Sequence, residues 1–142
     1  MIHQISAFVE NKQGRLCEIT RALAGHGINI RAFTIADTTD FGILRLIVND
    51  PDRAVEALRA ISVTVTKTEV LAVRLDDKPG SMHKVLEALS QDGVSVEYAY
   101  AFTARQHDGA YVILRTESMA RAMDALQSRG FALLSSADVD GV

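Results

Sequence analysis

Two short segments carry residue types from which a small-molecule site can be built. Asn11-Lys12-Gln13-Gly14 and Asp77-Lys78-Pro79-Gly80 each set a short polar side chain three residues ahead of a glycine, and each runs straight into a helical pattern. The amides of the first helical residues, Arg15 and Leu16 or Ser81 and Met82, lack partners within their helix and lie at the positive end of its dipole. That suits a carboxylate. Glycine at 14 and at 80 lets a bound group come close to the main chain. Asn11, Asp77, Asn29 and Ser95 are short polar side chains able to take an ammonium group or to orient a ligand. Turn and cap duties alone would also account for the glycines, and Asn11 and Asp77 could serve only as caps of the following helix. Asn29 could simply bond a neighbouring backbone group, and Leu16 and Met82 suit a core better than a pocket. The repetition of the whole set favours binding over any single residue's structural role.

Catalytic chemistry finds no comparable constellation. His3, His26, His83 and His107 are scattered over strand, helix end, helix and turn, without the spacing of metal ligands. Cys17 and His83 occupy equivalent positions of a repeat, so they fall in different units and make a poor nucleophile pair. As the only cysteine, Cys17 excludes an internal disulfide framework and any cysteine-rich metal site. Neither a cofactor loop nor a general base stands out, and a non-enzymatic role without cofactor is expected.

The elements that must position these loops follow from periodicity. Ile2 to Val9 alternates, with Ile5, Ala7 and Val9 on one face and Phe8 on the other, as a strand does. A helix from about Arg15 to Ala24 buries Leu16, Ile19 and Leu23, and Gly25 and Gly27 stop it. Strands are expected over Ile28 to Ala36 and Phe41 to Val48, joined as a hairpin by Asp37-Thr38-Thr39-Asp40. Asp50-Pro51 opens a second helix with Ala54, Val55 and Leu58 inward. From Ile61 the chain alternates as a strand that reaches Val70 with no Gly or Pro between, so two units should be rigidly joined.

The same grammar then returns. Gly14 and Gly80, like Gly27 and Gly93, stand 66 residues apart. Strands over Val70 to Leu75, Val94 to Phe102, Ala110 to Arg115 and Phe131 to Leu134 alternate with helices over Ser81 to Gln91 and near Met119 to Ser128. The extra residues of the second copy fall at Arg105-Gln106-His107 in its hairpin turn, and Ser135 to Val142 reads as a loose tail. The chain is therefore α+β, two ferredoxin-like β-α-β-β-α-β units spanning 1–69 and 70–142, each an antiparallel sheet with its helices on one face. Units this small bury too little surface to be robust alone and should share a core or a sheet. Phe8, Phe33 and Ile35 put apolar side chains on the bare sheet face, which should pack on a second sheet.

Composition limits the partners. The 142 residues are 48% hydrophobic and 23% charged with a net charge of −3, the profile of a globular protein. Lys and Arg balance Asp and Glu in the first unit, and acids exceed bases in the second, so the basic stripe that nucleic acid requires is missing. No apolar run approaches the roughly eighteen residues of a membrane span, and Met1-Ile2-His3-Gln4 lacks the features of a signal peptide. A cytoplasmic place is expected.

The Asn/Asp-x-x-Gly loop, a helix with Leu16 or Met82 two residues later, and the closing Gly27-Ile28-Asn29-Ile30 or Gly93-Val94-Ser95-Val96 resemble the ACT domain, a regulatory module of amino-acid metabolism. The resemblance covers residues 3 to 69 and 70 to 135. The second unit keeps the family's Pro-Gly at Pro79-Gly80 where the first has Gln13-Gly14, and the first keeps the family's asparagine at Asn29 where the second has Ser95. The resemblance implies a free amino acid as ligand, bound where one unit's loop faces another's helix or strand, in a homodimer that regulates a partner enzyme. The stretch Phe8 to Leu23 is also similar to the small subunit of acetolactate synthase, which offers a regulatory subunit of that enzyme as the alternative.

Overall fold

A computed structural model describes residues 1–37, 39–103 and 109–141. In chain order the elements are β1 (Ile2–Glu10), α1 (Arg15–Gly25), β2 (Ile30–Asp37), β3 (Phe41–Val48), α2 (Pro51–Ala60), β4 (Thr64–Asp76), α3 (Ser81–Gln91), β5 (Val96–Thr103), β6 (Gly109–Thr116), α4 (Met119–Gln127) and a 3₁₀ helix over Ser136–Gly141. Internal contacts divide the chain into an N-terminal unit, residues 3–68, and a C-terminal unit, residues 69–142 with Met1 and Ile2. The expected head-to-tail strands are a single strand, β4, whose residues 64–68 belong to the first unit and 69–76 to the second. Both units are α+β with the expected β-α-β-β-α order.

In the N-terminal unit the strand order is β2-β3-β1-β4, and β3 runs antiparallel to both β1 and β2. Pairing of Ile5 with Leu46, Ala7 with Leu44 and Val9 with Gly42 turns one side of β1 and β3 toward the helices. There Ile5, Ala7, Val9, Leu44 and Leu46 meet Ile19 and Leu23 of α1 and Ala54, Ala57 and Leu58 of α2 in one buried core. The C-terminal unit repeats this with order β4-β6-β5, where Leu71, Val73, Val112 and Leu114 face Val85, Leu89, Ala122 and Leu126. The expected strand over Phe131 to Leu134 shrinks to one bridge between Val73 and Leu133. Its flanking bonds run from Arg74 N–H to Ala132 O at 2.9 Å and from Leu134 N–H to Ala72 O at 2.8 Å. The tail also departs from expectation: it winds into the 3₁₀ helix, and Ser136 Oγ donates to Met1 O at 3.2 Å.

All four helices end alike, and this shifts several expected strand starts. Ile28 N–H donates to Leu23 O, Val63 to Leu58 O, Val94 to Leu89 O and Phe131 to Leu126 O, closing each last turn over a residue of positive φ at Gly27, Ser62, Gly93 and Gly130. Ile61 to Val63 is thus the exit of α2 rather than the start of a strand, despite its alternating pattern.

The apolar residues of the sheet also sort differently from expectation. Phe8 lies on the bare face, paired with Ile43 and stacked on Phe41 at a centroid distance of 4.9 Å. Phe33 and Ile35 pair with Leu46 and Leu44, so they lie on the helix side, where β2 is the edge strand beyond α1. Edge position leaves Phe33 61% exposed. Thr38 and the turn residues Ala104 to Asp108, with His107 among them, lie outside the described residues.

Candidate functional site

The two glycine loops have one geometry. Lys12 N–H donates to Glu10 O at 2.9 Å, Arg15 N–H to Lys12 O at 3.3 Å and Glu18 N–H to Gly14 O at 3.0 Å. Sixty-six residues later, Lys78 donates to Asp76 O at 3.0 Å, Ser81 to Lys78 O at 3.2 Å and Lys84 to Gly80 O at 3.0 Å. Gly14 and Gly80 are the N-cap residues, at φ of 81° and 88°, a left-handed turn that an L side chain resists. No side chain caps either helix, which corrects the expectation that Asn11 and Asp77 do so. Asn11 Nδ2 instead donates to Thr39 O at 3.2 Å, and its N–H donates to Asp40 O at 2.8 Å, fastening the loop to the β2–β3 turn.

These bonds also move the expected anion-binding amides by one residue. Arg15 and Ser81 spend their N–H groups inside the loop, so the groups ahead of the first intrahelical bond are those of Leu16 and Cys17, and of Met82 and His83. Arg15 turns its side chain to Glu18, with Nη1 2.9 Å from Oε2. Pro79 sits in the second loop where the first has Gln13, and its ring fixes φ there.

Asn29 and Ser95 do not join their own loops. β1 and β2 are both antiparallel to β3, so Asp37 reaches the Glu10 end of the sheet while Asn29, just before Ile30, lies at the other end, beside Val48. The eleven residues of α1 separate Asn29 from Gly14 by about 16 Å at 1.5 Å per residue. Asn29 N–H donates to Asn49 Oδ1 at 2.8 Å and Asn29 O accepts from Asn49 N–H at 3.2 Å. Ser95 and Glu117 make the same pair of bonds, both at 3.2 Å.

Each unit has a cleft at its loop. In the N-terminal unit a cleft of about 140 Å³ is lined by Val9, Leu16, Ile35 and Gly42 with Glu10, Asn11, Lys12 and Asp37. Leu16, expected in the core rather than in a pocket, is instead 38% exposed and lines this cleft. In the C-terminal unit a cleft of about 260 Å³ opens between Ser81 and Lys84 of α3, the end of β4 and Phe131. Met82 is half-buried against the core of its unit. Ile35, Asp37 and Gly42 escape a reading of the loop alone. Their signal is the hairpin register, which sets Asp37 opposite Gly42 and Gly42 opposite Val9.

Cys17 is exposed, and among the described residues no group of three His, Cys, Asp or Glu is placed to hold a metal ion. No described helix is long and apolar enough to cross a membrane.

Comparison with known proteins completes the picture. No curated protein matches the sequence. The protein BT0572 from Bacteroides thetaiotaomicron is 40% identical over 99% of this chain and 96% of its own, with a TM-score of 0.92. The regulatory subunits of aspartate kinase from Thermus thermophilus, in its ligand-free form, and from Thermus flavus are 18% and 17% identical with TM-scores of 0.64 and 0.62. They cover 90% and 89% of this chain and 92% and 90% of their own, a likeness of fold. With the family model described as an ACT domain pair matching residues 1–140, the duplicated loops, helices and sheets place this chain in the ACT domain family.

Proposed function

We propose that this ACT domain pair is an amino-acid-binding regulatory protein rather than an enzyme, with a free amino acid held at the loop 11–16 and, through the same geometry, at the loop 77–82. The observation that carries this reading is the duplication of a glycine-capped helix start, bond for bond, beside a cleft in each unit. A zwitterion needs both charges answered, since burying either alone is costly. The leading amides of α1 and α3 answer the carboxylate, and Asn11 or Asp77 is the short polar side chain of each loop that orients the ligand. Asn29 and Ser95 contribute only where a second unit brings its far end to the loop, and a homodimer supplies such units. A bound amino acid then reports its concentration to a partner enzyme through a coupling of about 1 to 3 kcal/mol. A tie to acetolactate synthase gains no support from the neighbours above, two of which are regulatory subunits of aspartate kinase.

The test is a thermal-shift screen of the whole chain against the twenty amino acids, followed by Gly14→Val and Gly80→Val. One or a few amino acids should raise the melting temperature, and the variants should lose that response. Twenty flat responses would leave the duplicated loops as structural turns.

A further inference from the structure

From the shape and charge of the N-terminal cleft, we infer that its ligand is an amino acid with an uncharged, apolar side chain of about four to seven heavy atoms, whose ammonium group is held by Asp37. This inference rests on the amino-acid-binding reading above and narrows it. Size comes first. The cleft offers about 140 Å³, close to the roughly 150 Å³ of an engineered apolar cavity that takes up benzene. It is well below the roughly 300 Å³ at which pockets for drug-sized ligands begin.

The lining decides polarity. Val9, Leu16 and Ile35 surround the space, and Gly42 completes it without a side chain. A Cβ on Gly42 would sit 3.2 Å from Ile35 Cγ2, so this glycine is what lets Ile35 settle against the sheet. A charged side chain in such surroundings would lose its hydration without a partner.

The carboxylates fix the orientation. Lys12 Nζ already lies 3.6 Å from Glu10 Oε2. Asp37 adds a second carboxylate at the rim, opposite Gly42 in the register. An ammonium group on Asp37 leaves the ligand's carboxylate for the leading amides of α1, with the side chain between them over Val9 and Ile35. The C-terminal unit has Thr103 where the first has Asp37, Ala101 where it has Ile35 and Ala110 where it has Gly42, so it reproduces neither the apolar wall nor the carboxylate.

Calorimetric titration of the full chain tests this with leucine, phenylalanine, glycine, lysine, glutamate and 4-methylpentanoate, the last being leucine without its ammonium group. Leucine or phenylalanine should bind at least about tenfold more tightly than the other four. Asp37→Asn should weaken that binding about tenfold or more, as expected for loss of a charge-assisted bond. Thr103→Val should change it less than about twofold, since Thr103 lacks that charge. Gly42→Ala gives an independent reading and should weaken the same ligand by crowding Ile35. Tightest binding of lysine, glutamate or glycine would overturn the inference while leaving the amino-acid reading intact. So would 4-methylpentanoate binding as well as leucine, or an unaltered affinity in Asp37→Asn. Silence from every amino acid would overturn both.

Discussion

Three glycines at the loops act through different physics, and substitution separates them. Gly14 and Gly80 have φ of 81° and 88°, yet an added Cβ meets nothing within 4 Å at either. Alanine there strains only the backbone, at about 1 to 2 kcal/mol for a left-handed residue, offset by about 0.4 to 1 kcal/mol from a less free unfolded chain. Gly14→Ala and Gly80→Ala should thus each lower the urea midpoint by the equivalent of about 0.5 to 1 kcal/mol while keeping the far-ultraviolet spectrum. Gly42 needs no positive φ, but its Cβ would press on Ile35, so Gly42→Ala should act mainly on ligand affinity and little on the urea midpoint. A midpoint loss for Gly42→Ala as large as for Gly14→Ala would contradict this division. Charge adds a separate case at Asp92, whose carboxylate takes bonds from Arg129 Nη1 and Nη2 at 3.0 and 2.9 Å. The hydrogen bond from Arg129 holds Asp92 below its ordinary value of 3.8. A lowered carboxylate means that the unfolded chain binds more protons, so the stabilisation is present above that ordinary value and fades as pH falls through the folded one. Asp92→Asn should therefore flatten the decline in urea midpoint below about pH 4 relative to the parent chain.

Among the elements, the helix exits make the sharpest case. Gly27, Gly93 and Gly130 occupy the left-handed residue after α1, α3 and α4, and Ser62 occupies it after α2 with φ of 62°. A non-glycine residue there costs about 1 to 2 kcal/mol, of which glycine gives back about 0.4 to 1 through its freer unfolded chain. Ser62→Gly should thus stabilise the chain by about 0.5 to 1 kcal/mol and raise its melting temperature by about 2 to 3 °C. A decrease would show that Ser62 is held for a contact of its own. The same residue shows where the sequence stops being informative. Asp50-Pro51 announces α2, and Asp50 Oδ1 does accept Arg53 N–H at 3.1 Å, because a cap is a local bond between near neighbours. The exit of α2 carries no glycine, and Ile61-Ser62-Val63 alternates, so the pattern reads as strand where the bond from Val63 to Leu58 O makes a turn. Phe33 and Ile35 were legible as strand residues, but their side of the sheet depends on pairing with Leu46 and Leu44, which only the register supplies. The site divides in the same way. Its loop residues announce themselves by repetition, whereas Ile35, Asp37 and Gly42 enter through strands that return to Val9 from across a hairpin.

For the molecule as a whole, the duplication sets what ligand binding can do to stability. Each unit's helices and sheet enclose a core of modest size, so a ligand that engages only the folded loop adds a sizeable share to a total that rarely exceeds about 15 kcal/mol. At a hundred times its dissociation constant it contributes about 2.7 kcal/mol, and for a chain of 142 residues that is a rise of roughly 5 to 10 °C in melting temperature. The rise should grow with the logarithm of ligand concentration. Because Gly14→Val and Gly80→Val each put a bulky side chain where a ligand approaches the main chain of one loop, each should remove only the contribution of its own unit. If the N-terminal cleft alone binds the ligand, Gly14→Val should abolish the whole rise and Gly80→Val should leave it intact, each measured against its own ligand-free baseline. Equal halving by the two substitutions would instead make both loops sites of similar strength. That outcome would mean that the repeated bonds at Gly14 and Gly80, rather than the cleft lining that differs between units, govern affinity.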